Sequence, residues 1–182
     1  MRVVSGKARG RRLLTLEGLD VRPTTDKVKE SMFNIIQFEL EEANVLDLFA
    51  GSGQLGIEAL SRGAASATFV DASKKSLDIV KKNIEITGLG ENARVVHSDA
   101  FSFLFSSSSV FDIVFLDPPY EKHLCDRAFE ALGRVLKDSS VVICETRDCE
   151  ILPAEVGALR LQREYHYSSI KLSVYRNEGA EV

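Results

Sequence analysis

The chain has 182 residues, 45% hydrophobic and 27% charged, which fits one packed domain and leaves little for a second. No apolar run approaches the roughly 20 residues that cross a bilayer, and the basic N-terminus lacks the apolar stretch of a secretory signal, so a cytoplasmic protein is expected. The formal charge of −4 excludes a chain that is basic throughout.

That charge is unevenly spread. Arg2, Lys7, Arg9, Arg11 and Arg12 stand in residues 1–12 with no acid, a local +5; taken out of −4, this leaves −9 on the remainder. A basic arm on an acidic body marks either a nucleic-acid contact or a solvated terminus, and composition alone does not choose between them. Val3-Val4 and Leu13-Leu14 bracket a glycine-containing loop, the pattern of a small hairpin. Residues 1–21 are therefore expected as a basic, hairpin-like extension of a single domain spanning 1–182.

Arg22-Pro23-Thr24-Thr25 predicts a helix start, because proline stiffens the approach and a threonine can cap. Val28, Met32, Ile35 and Ile36 recur at helical spacing and carry the helix to about Leu40. From Asn44 strands and helices alternate. Val45 to Phe49 reads as a strand, followed by a glycine-rich turn and a helix through Leu60 stopped by Gly63. Thr68-Phe69-Val70 is the second strand. Ser73 caps a helix bearing Leu77, Val80 and Ile84, which Gly88 ends. Arg94-Val95-Val96 is the third strand, and Ser106 to Ser109 a polar loop. Phe111 to Leu116 is nearly all apolar and so central. Leu124, Ala128, Leu132 and Val135 mark another helix, and Val141-Val142-Ile143 a fifth strand. Leu159 to Tyr167 and Ile170 to Tyr175 are parted only by Ser168-Ser169, too short for a crossover, so they must run antiparallel. The tail from Asn177 is polar. Cys125, Cys144 and Cys149 are odd in number with no C-x-x-C pair, and are expected as reduced, packed thiols. With His97, His123 and His166 they form no ligand pattern, so no metal is expected.

Repeated βα units imply a parallel sheet whose strand carboxyl ends share one edge, the edge where such folds bind ligands. Asp47, Asp71, Asp99 and Asp117 stand at or near the ends of four successive strands. Any one could simply begin a turn; four together suggest a site that reads hydroxyls, amines or cations. Gly51-Ser52-Gly53-Gln54-Leu55-Gly56 is a G-x-G-x-x-G turn that lets a ligand approach the backbone. With Asp71 twenty residues after Gly51, it fits NAD as well as S-adenosylmethionine.

Two features favour S-adenosylmethionine. Asp47 can reach a cationic amino-acid tail, which NAD lacks. Asp117-Pro118-Pro119-Tyr120 then sets two acceptors, the Asp117 carboxylate and the Pro118 carbonyl, on backbone that the prolines hold extended, with Tyr120 as a flat surface for a base. Such a pair suits an exocyclic amine, whose lone pair is delocalised into its ring. Holding both N–H bonds turns the lone pair out and stabilises positive charge growing on nitrogen. In a structured substrate the base must first leave its stack.

Asp47-Leu48-Phe49-Ala50-Gly51-Ser52-Gly53, with Leu55-Gly56-Ile57-Glu58-Ala59-Leu60-Ser61-Arg62-Gly63 and Asp117-Pro118-Pro119-Tyr120, resembles the bacterial 16S ribosomal RNA guanine-N2 methyltransferases. Arg22 to Glu30 and the opening Met1 to Lys7, with Arg9-Gly10-Arg11-Arg12-Leu13, extend the likeness over nearly the whole chain. The resemblance implies a single methyltransferase domain of the α/β class. Its Rossmann-like S-adenosylmethionine-dependent methyltransferase fold has a mostly parallel seven-stranded sheet with helices on both faces and an antiparallel C-terminal strand. It implies S-adenosyl-L-methionine held by Asp47, Phe49, Ala50, Gly51, Ser52 and Gly53, with Asp71 and Ala72 at the ribose and Asp99 and Ala100 near the adenine. It implies catalysis by Asp117, Pro118, Pro119 and Tyr120. The implied partner is ribosomal RNA, in a small ribosomal subunit or its assembly intermediate, contacted by Arg2, Lys7, Arg9, Arg11, Arg12 and Arg22. Gln54 stands where these proteins often carry alanine, with little effect expected. The tetrapeptide alone also fits an adenine-N6 methyltransferase of DNA or RNA. More distant alternatives are a protein glutamine methyltransferase, which typically shows Asn where Asp117 stands, a non-catalytic RNA-binding module on the same scaffold, and an NAD-dependent dehydrogenase.

Overall fold

Five strands run in one direction because a helix separates each from the next. The computed structural model describes residues 1–16, 25–119 and 124–179. Helix α1 (Asp26–Ile35) precedes β1 (Asn44–Leu48), α2 (Gln54–Ser61), β2 (Ser66–Asp71), α3 (Lys74–Thr87), β3 (Ala93–His97), α4 (Ala100–Ser106), β4 (Phe111–Leu116), α5 (Leu124–Leu132) and β5 (Leu136–Arg147). Three antiparallel strands close the chain: β6 (Glu155–Val156), β7 (Leu159–Tyr167) and β8 (Ile170–Asn177). The sheet order is β3-β2-β1-β4-β5-β8-β7-β6. This is the Rossmann-like α/β architecture that the sequence implies, with the two-residue β6 added as an eighth strand at the edge beyond β7.

Alternation along each strand feeds two cores, one on each face. Val45, Ile113, Phe115, Val141 and Ile143 pack under α1, α2 and α3. Leu46, Leu48, Val114, Leu116 and Val142 pack under α4 and α5. The caps are local. The Thr25 hydroxyl accepts from Val28 N–H and the Ser73 hydroxyl from Ser76 N–H. Gly88 ends α3 at φ +71, where a side chain would strain the backbone.

Five elements differ from the sequence reading, among them α5, which ends at Leu132 and leaves Val135 in the turn that follows. Helix α1 stops at Ile35 rather than near Leu40, because Glu39 N–H turns back to Ile36 at 3.0 Å. That turn also returns Leu40 to the core, so apolar spacing cannot distinguish it from helix. β1 stops at Leu48, since Phe49 takes a left-handed φ of +71. β5 begins five residues before Val141, through polar Lys137, Asp138 and Ser139, with a register shift against β4. Helix α4 occupies residues that carried no helix expectation; Asp99 caps it, accepting from Phe101 and Ser102 N–H. Arg22, the Pro23-Thr24 approach and Tyr120 lie outside the described residues. No helix among the described residues is long and apolar enough to cross a membrane.

Gly56 fixes how closely α2 lies on the sheet. A Cβ there would sit 2.4 Å from the fully buried Phe69 ring. Gly56→Ala is expected to force α2 off β2 and destabilise the fold by about 1–3 kcal/mol, read as a lowered midpoint in urea or thermal unfolding.

Candidate active site

The turn between β1 and α2 is held by main-chain bonds. Phe49 and Ala50 N–H both donate to Val70 C=O, at 3.1 and 2.9 Å, and Gly53 N–H donates to Ala50 C=O at 2.7 Å. Phe49, Gly51 and Gly53 all have positive φ, and a bulky residue there signals strain held by its surroundings. A Cβ on Gly53 would also crowd the Val80 and Phe69 side chains, at 3.2–3.3 Å.

The four aspartates gather at the strand carboxyl edge, each in a different setting. Asp71 accepts from Gly51 N–H at 2.9 Å and from Ser73 N–H at 2.7 Å, tying β2 to the turn. Asp99 is exposed and caps α4, with Ala100 buried behind it. Ala72 is exposed, and its carbonyl meets His97 Nε2 at 3.0 Å. Asp47 is 2% exposed and accepts from Gly56 N–H at 2.9 Å. Burial pushes its carboxyl up to about 7, the Gly56 bond opposes this, and the Asp71 charge adds to it.

Asp117 follows β4, with Pro118 buried and Pro119 exposed beside it. Strand alternation puts Asp47 on the face of Val45, and Asp117 on the face of Ile113 and Phe115. Glu145 of β5 falls on that same face beside Ile143, and is 1% exposed. Desolvation raises the Asp117 carboxyl well above its usual range, and the charges of Glu145 and Asp47 raise it further. Three adjacent strands, β1, β4 and β5, thus bring three carboxyls together at one edge, an arrangement suited to a cation or to amine hydrogens. Glu145 was missed by sequence reading. Its signal was an acid directly after the apolar run Val141 to Cys144.

The basic arm is docked on the helical layer. Arg2 and Arg12 form an antiparallel bridge. Glu58, fully buried in α2, accepts from Val4 and Ser5 N–H at 2.8 and 2.9 Å. The Ser61 hydroxyl accepts from Ala8 N–H and donates to Ser5 C=O. Asn83 of α3 takes both main-chain groups of Leu14 and donates as well to Ser52 C=O in the glycine turn. Buried Lys29 joins Arg2 C=O to Glu58, while Arg62 pairs with Glu58 at 2.8 Å. Burial lowers the Lys29 pKa against the pull of Glu58 and Asp26. Glu58, Ser61 and Asn83 read in sequence as ordinary helix polars; their partners lie 53–69 residues away. Lys7, Arg9, Arg11 and Arg12 are exposed, whereas Arg2 is engaged by Asp26 at 2.9 Å.

Asp47 makes stability depend on pH. Its carboxyl rises from 3.8 to about 7 on folding, so between those values the folded state keeps a proton that the unfolded state has lost, and stability falls as pH rises. Asp47→Asn keeps an acceptor for Gly56. It is expected to flatten this fall and raise stability near pH 8, by on the order of 2–4 kcal/mol. Urea unfolding at pH 4.5 and pH 8 checks it; an unchanged slope would show Asp47 ionised throughout.

Known proteins share this fold and much of this sequence. The solved structure of yhhF from Escherichia coli superposes with a TM-score of 0.87 at 37% identity, covering 98% of both chains. Ribosomal RNA small subunit methyltransferase D of Escherichia coli (strain K12) is 36% identical over 98% of this chain and 91% of its own. The protein of the same name from Haemophilus influenzae is 38% identical over 97% and 94%. Residues 1–176 match the family described as Conserved hypothetical protein 95, and the chain belongs to that family.

Proposed function

We propose that this protein transfers a methyl group from S-adenosylmethionine to the exocyclic N2 amine of a guanine in 16S ribosomal RNA, in the cytoplasm. The observation that carries the reading is the Asp117-Pro118 step at the carboxyl end of β4, on the same sheet face as Asp47 and next to the glycine turn. The relatives named for small-subunit ribosomal RNA methylation supply the substrate class.

The residues present suit the cofactor. Above Gly51 a Cβ would meet nothing nearer than Phe49 C=O at 4.0 Å, so the turn leaves room for a ligand. Asp47 is a buried acid short of a counter-charge and suits the ammonium of the amino-acid tail. Phe49, Ala50, Ser52 and Gly53 line the turn; Asp71 and Ala72 take the ribose, and Asp99 and Ala100 the adenine side. The cofactor supplies an electrophilic methyl group. The chain's own part is to hold the amine. The Asp117 carboxylate and the Pro118 carbonyl accept its two N–H bonds, and Tyr120 stacks on the base. As positive charge grows on nitrogen, the fixed acceptors stabilise it. The ionised Asp117 carboxylate is the stronger acceptor and the form that balances charge growing on nitrogen, so acid pH works against the step.

Asp117→Ala is expected to lower turnover on the order of 100-fold while leaving the dissociation constant for S-adenosylmethionine nearly unchanged. Labelled S-adenosylmethionine offered with small subunits, free 16S RNA and DNA should give N2-methylguanine from the ribosomal substrate. N6-methyladenine would transfer the case to an adenine methyltransferase, and wild-type turnover by Asp117→Ala would remove the amine-acceptor role.

RNA binding falls to the arm, chiefly to Lys7, Arg9, Arg11 and Arg12, with Arg2 shared with Asp26 and Arg22 contributing. Neutralising Arg9, Arg11 and Arg12 together is expected to weaken RNA binding and flatten its salt dependence by about 2 in log–log slope, with cofactor affinity unchanged. Titrations of wild type and triple mutant across a salt series check this; superimposable curves would discard the arm as an RNA contact.

A further inference from the structure

Unpaired positive charge continues beyond the arm. In α3 Ser76 and Asn83 are buried one above the other, and Asn83 holds Leu14 of the arm, two residues from Arg12. Lys75 and Lys82, seven residues apart, lie along the exposed flank next to that edge, about 10 Å apart along the helix axis. Lys74 and Lys81 lie on the opposite flank, next to Leu77 and Ile84. Among the described residues, none of Lys7, Arg9, Arg11, Arg12, Lys75 or Lys82 forms an ion pair, and all six are exposed. Lys27, Lys74, Lys81 and Arg94 are also exposed without an ion pair among the described residues, but other cations are occupied. On the other face Arg127 lies over the Phe101 ring at 4.1 Å and Arg134 over Phe105 at 5.9 Å, and Lys137 pairs with Asp112 at 2.7 Å.

A second observation concerns the helix itself. The first turn of α3 holds no acid, and its last turn no base. Lys75 therefore sits at the positive end of the helix dipole, where a cation is disfavoured. An anion laid across this flank would reverse that penalty.

We propose that Lys75 and Lys82 extend the arm into a continuous track for the phosphate backbone of the substrate RNA, running from the arm up α3 toward the carboxyl edge of the sheet. This rests on the RNA-methylating reading above and assigns it a second contact surface. Asn83 is the joint that keeps the two parts of the track in register, since it bonds the arm from the residue that follows Lys82.

The test compares two double variants, Lys75→Gln with Lys82→Gln on the arm flank, and Lys74→Gln with Lys81→Gln on the far flank. Binding of purified 16S ribosomal RNA is titrated from about 0.05 to 0.3 M salt. Each phosphate contact contributes roughly 0.7–0.9 to the log–log slope. The arm-flank double is expected to lose about 1.5 of slope and at least fivefold in affinity near 0.1 M salt. The far-flank double should track wild type. Thermal midpoints should stay within about 2 °C for both, as expected for exposed substitutions. Equal losses in the two doubles would reduce the effect to net charge and overturn the track, as would an arm-flank double that matches wild type. If wild-type protein itself shows no salt-dependent RNA binding, the RNA reading falls and the track with it.

Discussion

The single direction of β1 to β5 is the constraint on which the rest of the molecule depends. Once crossover helices force those strands to run parallel, every chemically useful group must be presented at their carboxyl ends. The turn from β1 into α2 is the most heavily fixed part of that edge. Val70 C=O receives two N–H bonds and Asp71 a third, drawing β2 against the turn. That binding holds Phe49 in a backbone region a phenylalanine rarely adopts. Strain and sidedness therefore coincide at one place, between β1 and β2, at the turn proposed above to hold the cofactor.

The same edge is electrostatically frustrated. Asp47 and Glu145 are buried, and the charges of both push up the Asp117 carboxyl beside them. Carboxyls in such a setting hold protons or seek a cation and N–H donors. Keeping such acids together costs a folded chain stability, the exchange expected where a site is retained for function. The same acids also serve the backbone. Asp47 bonds α2, Asp71 bonds the turn and Asp99 caps α4, so their positions are set before any ligand arrives.

Much of this was legible in the residues, for reasons that can be named. Caps at Ser73 and Gly88 and the hairpin at Ser168-Ser169 are local devices, written in a few neighbouring residues. The glycine turn and the Asp117-Pro118 step also carry their geometry in adjacent side chains. What stayed hidden needed distant information. Asp99 could be read as a ligand or as a cap, and the ligand reading concealed α4. The polar start of β5 looked like loop because its support comes from β4. Glu58, Ser61 and Asn83 have the composition of a solvated helix face, yet they are buried because the arm covers them. No period or motif encodes a contact made across more than 50 residues of chain.

Those long-range contacts set an order of assembly. The arm is synthesised before everything that holds it: Glu58, Ser61 and finally Asn83. Until α2 and α3 exist and have packed on β1 and β2, the N–H groups of Val4, Ser5, Ala8 and Leu14 lack their acceptors and the arm is not docked. Contacts of such high separation form late, because the loop entropy must be overcome first. A nascent or partly folded chain therefore carries the positive charge without the track. On the proposed RNA reading, grip on a polyanion would then be a property of the completed fold, gained only after the sheet edge behind the arm has been built.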